Sequence, residues 1–119
     1  MNNLNLKLIY EEINLQQHGI IELKDNLTTE ILREKHMWIL IAKVENAIIG
    51  LTKDKKNIKW YNGVWKYGTW KYGEWMNGIW EKGVWENGIW HKGIWYNGIW
   101  KLGSWLGGKW IKGIKWKNK

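Results

Sequence analysis

Apolar and polar positions change their rhythm half-way along the chain. Up to about residue 57 the apolar residues come in short runs of mixed period. From Trp60 onward a single five-residue pattern takes over: tryptophan, two variable positions, glycine, then a residue that is mostly Val or Ile. Tryptophan returns at every fifth residue from Trp60 to Trp110 and glycine at every fifth from Gly63 to Gly113. A fixed short period predicts one unit stacked on copies of itself. Five matches neither the helical period of 3.6 nor a multiple of the strand period of 2. On a helix, successive tryptophans would spray around the axis, and each glycine would cost about 1 kcal/mol. A chain that bends once per pentad keeps every tryptophan on one side. Coils of such a chain stack at the strand spacing of about 4.8 Å.

Within a pentad, glycine and tryptophan lie two apart, so both face the same side of a strand. The pattern predicts an interior built from Trp60, Trp65, Trp70, Trp75, Trp80, Trp85, Trp90, Trp95, Trp100, Trp105 and Trp110. Their small partners are Gly63, Gly68, Gly73, Gly78, Gly83, Gly88, Gly93, Gly98, Gly103 and Gly108. The residue between them points outward and is often β-branched, as Val64, Thr69, Ile79, Val84, Ile89, Ile94 and Ile99 are. The two residues after tryptophan form the corner. Asn62, Asn77, Asn87 and Asn97 each precede a glycine, a strong turn signal. A meander of hairpins at those steps would need three-residue strands, too short to hold.

The first half reads as a small α+β cap over residues 1–57, with the solenoid over 58–119. Leu6, Ile9, Tyr10 and Ile13 recur at helical spacing before Gly19, which predicts a helix from Asn3 to His18; a strand from Leu4 to Tyr10 is the alternative. Ile20 to Leu23 is a short extended piece. Asn26 or Thr28 caps a second helix through His36, with Ile31 and Leu32 inward. The β-rich run from Trp38 to Val44, a turn at Glu45-Asn46 and the run from Ala47 to Leu51 predict a β-hairpin. Thr52 to Lys56 is a polar loop. Solenoid ends expose strand edges, so the hairpin is expected to lie against the first coil.

This pentad resembles that of the pentapeptide-repeat proteins: a small residue, a short residue, a large central residue, then two variable ones. The resemblance covers only the C-terminal half, with tryptophan in place of Leu or Phe and Ile or Val in place of Asp or Asn. It implies a right-handed, four-sided β-helix and, as a further expectation, a homodimer formed through the last coil. Charge pairing fits either cross-section. Four sides stack Lys66 on Glu86; three sides stack Lys71 on Glu86 on Lys101.

Composition narrows the chemistry. There is no cysteine, proline or phenylalanine among the 119 residues, so disulfides and thiolate zinc sites are excluded. No long apolar run suggests a membrane span, and no signal peptide opens the chain; a cytoplasmic or virion-associated location is the simplest expectation. The net charge is +8, and residues 60–119 carry ten lysines against three glutamates. Lys109, Lys112, Lys115, Lys117 and Lys119 form a candidate basic patch. The pentad pattern slips at the end, where Lys115 stands in the tryptophan place and Trp116 follows. His18, His36 and His91 are scattered, Glu11-Glu12 reads as a solvated pair, and no catalytic constellation or cofactor motif stands out. The expectation is a non-enzyme without cofactor: a structural or interaction protein with a protein partner or itself as partner, in a phage or viral setting. Basic nucleic-acid binding and carbohydrate binding through exposed Tyr61, Tyr67, Tyr72 and Tyr96 are the alternatives.

Overall fold

The computed structural model describes residues 13–116. The pentads wind into a parallel β-solenoid. Its strands are β3 (Ile58–Tyr67), β4 (Thr69–Trp70), β5 (Gly73–Trp75), β6 (Ile79–Trp80), β7 (Val84–Trp85), β8 (Ile89–Trp90), β9 (Ile94–Trp95), β10 (Ile99–Trp100), β11 (Ser104–Trp105), β12 (Lys109–Trp110) and β13 (Ile114–Lys115). Every solenoid strand pairs in parallel with the strand fifteen residues away: Trp60 with Trp75, Trp65 with Trp80, Trp70 with Trp85, and onward. Fifteen residues are three pentads, so the coil has three sides. The four-sided expectation is thereby corrected. The ion pair of Lys71 with Glu86 at 3.6 Å follows the same register.

Ring size explains the three sides. In each coil the indoles of successive sides meet edge to face, with centroids 5.8 Å apart for Trp60 to Trp65 and for Trp65 to Trp70. Three such rings close the cross-section, and every tryptophan from Trp60 to Trp95 has no exposed surface. A fourth side would hold the rings apart around a void, with the loss of contacts that a void brings. Along the axis, rings fifteen residues apart stack with centroids 4.7–5.0 Å apart and planes within 7°. That repeat is the strand spacing itself. Carbon contacts are best at roughly 3.5–4 Å, so the rings slide into the offset stack that aromatic pairs favour.

The glycine row is set by the same repeat. At Gly83 φ is +128°, and a Cβ there would lie 2.2 Å from the Gly68 carbonyl oxygen of the coil before. The four asparagines have a use beyond turn formation: each Oδ1 accepts from the N–H of its own following glycine, at 2.8–2.9 Å. Indole N–H groups reach into the next coil. Trp80, Trp85 and Trp95 donate to the carbonyls of Asn97, Leu102 and Lys112.

The first half caps the solenoid, partly as expected. Asn14 caps a single 3₁₀ turn, Leu15–His18, that ends at Gly19 in the left-handed conformation. The predicted helix thus does not run through Ile13 and Asn14, because the Asn14 side chain takes the N–H groups of Gln16 and Gln17. Its earlier part, and the Glu11-Glu12 pair, lie outside the described residues. β1 (Ile20–Leu23) and α1 (Thr29–Lys35, capped by Thr28) stand where the pattern placed them. The hairpin does not form. Met37–Ile41 is a short helix, α2, and β2 (Lys43–Leu51) is one continuous strand. A short apolar run cannot be told from a buried helix by periodicity, and here Ile39 and Leu40 are buried in the cap. β2 finds its partners elsewhere: parallel to β1 and antiparallel to β3. The Glu45-Asn46 step is a bulge, with Asn46 at φ 52°. It passes Gly63, where a Cβ would lie 2.7 Å from the Ala47 Cα. The first coil is therefore covered by a strand, and cap and solenoid share one hydrophobic core.

Candidate interaction surface

Inward positions hold indoles and glycines, so only outward side chains can meet another molecule. Among the described residues no three His, Asp or Glu side chains group to hold a metal ion.

The two ends of the ring stack are closed in different ways. At the cap end, Trp38 of α2 meets Trp70 edge-on at 5.1 Å and also touches Trp65 and Tyr72. The Tyr72 hydroxyl donates to the Lys35 carbonyl at 3.1 Å and lies 3.1 Å from His36 Nδ1. That network makes Nδ1 the protonated nitrogen and leaves Nε2 of His36 buried without a partner. Burial, with Lys35 adding to it, holds the His36 pKa below its ordinary value. At the far end Lys115 fills the tryptophan place opposite Trp100. Its Nζ lies 5.9, 5.9 and 5.6 Å from the Trp100, Trp105 and Trp110 rings, a cation over the faces of three indoles. The slip puts Trp116 outside, half exposed, under the Lys101 ammonium at 4.6 Å.

The three described lysines of the patch, Lys109, Lys112 and Lys115, do not share one face. Lys109 points outward from one side, Lys112 sits on a corner and Lys115 turns toward the axis. Lys117 and Lys119 lie outside the described residues. Trp105 and Trp110 of the core set are only half-buried, since no further indole stacks on them among the described residues. Two of the outward tyrosines are tied down. Tyr72 serves the cap, and the Tyr61 hydroxyl donates to Asp25, with Lys24 and Lys59 against its ring. The hydrogen bond to Asp25 raises the Tyr61 pKa to about 12. Tyr67 and Tyr96 are exposed.

The side formed by β4, β7, β10 and β13 is set apart as its own four-stranded sheet, whereas the other two sides join β1 and β2 in one sheet. Its outward row is Thr69, Val84, Ile99 and Ile114. At the cap end this row runs into a groove of about 440 Å³ beside Trp38, Ile41 and Tyr67. A second groove, about 950 Å³, lies across Ile41 toward His18 and Lys66. Ile41, at the rim of both, is 75% exposed. The pentad alone does not disclose this surface; the fifteen-residue register does. No protein family model, curated protein or solved structure matches the chain.

Proposed function

We propose that the chain is a non-catalytic interaction protein, a stiff indole-filled solenoid that offers its outer sides to a protein partner. The observation that carries this reading is a sealed indole inside together with outward rows that are mostly aliphatic on two of the three sides. Val64, Ile79 and Ile94 form one outward row, and Val84, Ile99 and Ile114 another. Flat rows of aliphatic side chains in contact with water gain from being covered. Rings locked in a stack of strand spacing give the sides a fixed shape, which lowers the ordering cost of binding. A phage or viral accessory role is the setting we propose, on repeat style and composition. The test is a photo-crosslinking amino acid placed at position 94 or 99 in the source cell. A discrete protein adduct is the expected result; adducts to nucleic acid alone, or none, would refute the reading. Nucleic-acid binding is the second reading, favoured by the lack of any carboxylate after Glu86. It requires binding to random DNA that weakens steeply with salt.

A further inference from the structure

The three sides differ once the fifteen-residue register is applied to charge. The side of β4, β7, β10 and β13 is bordered along one corner by Tyr67, Lys82, Asn97 and Lys112. Along the other run Lys71, Glu86, Lys101 and Trp116. Lys71 and Glu86 pair with each other. That leaves Lys82, Lys101 and Lys112 around the aliphatic row Val84, Ile99 and Ile114. Lys82 stands over the exposed Tyr67 ring and Lys101 over Trp116, which places both ammonium groups beside the lane. The side opposite in charge pattern is the one of β5, β8 and β11, where Glu74 occupies the outward row and pairs with His91.

Lys82 and Lys112 on one corner and Lys101 on the other make this aliphatic lane complementary to an acidic partner that also carries apolar side chains. Nucleic acid would use the lysines but leave the aliphatic row covered by nothing apolar, and its interfaces are markedly polar. A second copy would bring lysines against lysines. We infer that this side docks an acidic protein segment in which aliphatic residues alternate with carboxylates. The aliphatic residues cover Val84 and Ile99 while the carboxylates meet Lys82, Lys101 and Lys112. The cap-end groove beside Trp38 and Ile41 receives one end of the segment. The inference rests on the protein-partner reading above and specifies its side and its chemistry.

The test uses the full chain and a labelled peptide of alternating glutamate and leucine, read by fluorescence anisotropy at low and near-physiological salt. The wild-type chain is expected to bind it and to ignore the matching lysine–leucine peptide. Two substitution pairs then divide the contributions. V84T with I99T keeps the β-branch and strand preference and should weaken binding about tenfold, through lost apolar cover. K101E with K112E should weaken it at least as much and invert preference toward the lysine–leucine peptide. I89T, on the side of β5, β8 and β11, should leave binding unchanged. Near-ultraviolet circular dichroism of the stacked indoles reports that each variant remains folded. Peptide binding unmoved by the two pairs, or lost with I89T, would overturn the assignment of this side while leaving a protein partner in place. No peptide binding alongside tight, salt-sensitive binding of oligothymidylate would overturn the protein-partner reading itself.

Discussion

Replacing Gly83 with alanine tests the link between the glycine row and coil stacking. Gly83 sits in a middle coil, so its loss is felt by coils on both sides. Its φ of +128° is a conformation that costs an L-residue about 1–3 kcal/mol. The added Cβ would stand 2.2 Å from the Gly68 oxygen and 3.0 Å from the Gly68 nitrogen. Both are backbone atoms of the paired coil, so relief means prising two coils apart, and overpacking of that kind costs about 1–3 kcal/mol. Against this, alanine lowers the entropy of the unfolded chain, worth about 0.4–1 kcal/mol. The net expectation is a loss of roughly 1–5.5 kcal/mol, a large share of the about 5–15 kcal/mol of a typical domain. Gly107→Ala is the control. Gly107 lies just before the in-register Gly108, has no positive φ, and its nearest neighbour for a Cβ is the His91 oxygen at 3.1 Å. It should stay within about 1 kcal/mol of wild type. Urea unfolding followed by tryptophan fluorescence measures both. Equal midpoints for Gly83→Ala and wild type would refute the reasoning, because the close coil approach would then not exist.

Three further outcomes follow from the ends of the ring stack. His36 is neutral and its pKa is held down on folding, so stability is whole above about pH 6.5, where the unfolded histidine is also neutral. It declines as pH falls below that value; His36→Gln should flatten the decline, as read from unfolding midpoints between pH 7.5 and 5. Trp38→Ala removes the indole that closes the stack at the cap. For this half-buried ring we expect a loss near the lower end of the range for aromatic truncation, about 3 kcal/mol, measured by urea unfolding. Lys115→Met removes the ammonium over three indole faces and should cost about 0.5–1 kcal/mol, in an assay where protection of the Trp105 and Trp110 amides falls while that of the first coil does not.

Much of the solenoid was legible in the sequence because a one-residue rule governs it. A tryptophan at every fifth place with a glycine two before it can only be buried together, and the caps at Gly19 and Thr28 are equally local signals. The number of sides was not local. It depends on how many indoles close a cross-section, and the charges allowed both answers: Glu86 has a lysine partner whether coils repeat every fifteen or every twenty residues. Residues 38–51 misled for a different reason. Their β-rich composition was real, but β2 took its partners from β1 and β3, and the run before it folded as α2 against the core. The placement of the basic residues follows the coil and not the chain. Lys109, Lys112 and Lys115 fall on a side, a corner and the axis, whereas Lys82 and Lys112 share a corner at a distance of two coils.

The most direct measurement uses the absence of native cysteine. Val84→Cys with Ile99→Cys places two thiols fifteen apart on paired strands, whose spacing of about 4.8 Å suits a disulfide. Ile79→Cys with Ile99→Cys places them twenty apart, on different sides of a three-sided coil. The first pair should oxidise rapidly to an intramolecular disulfide in the folded chain and the second should not; rapid closure of the second pair and not the first would contradict the three-sided indole stack.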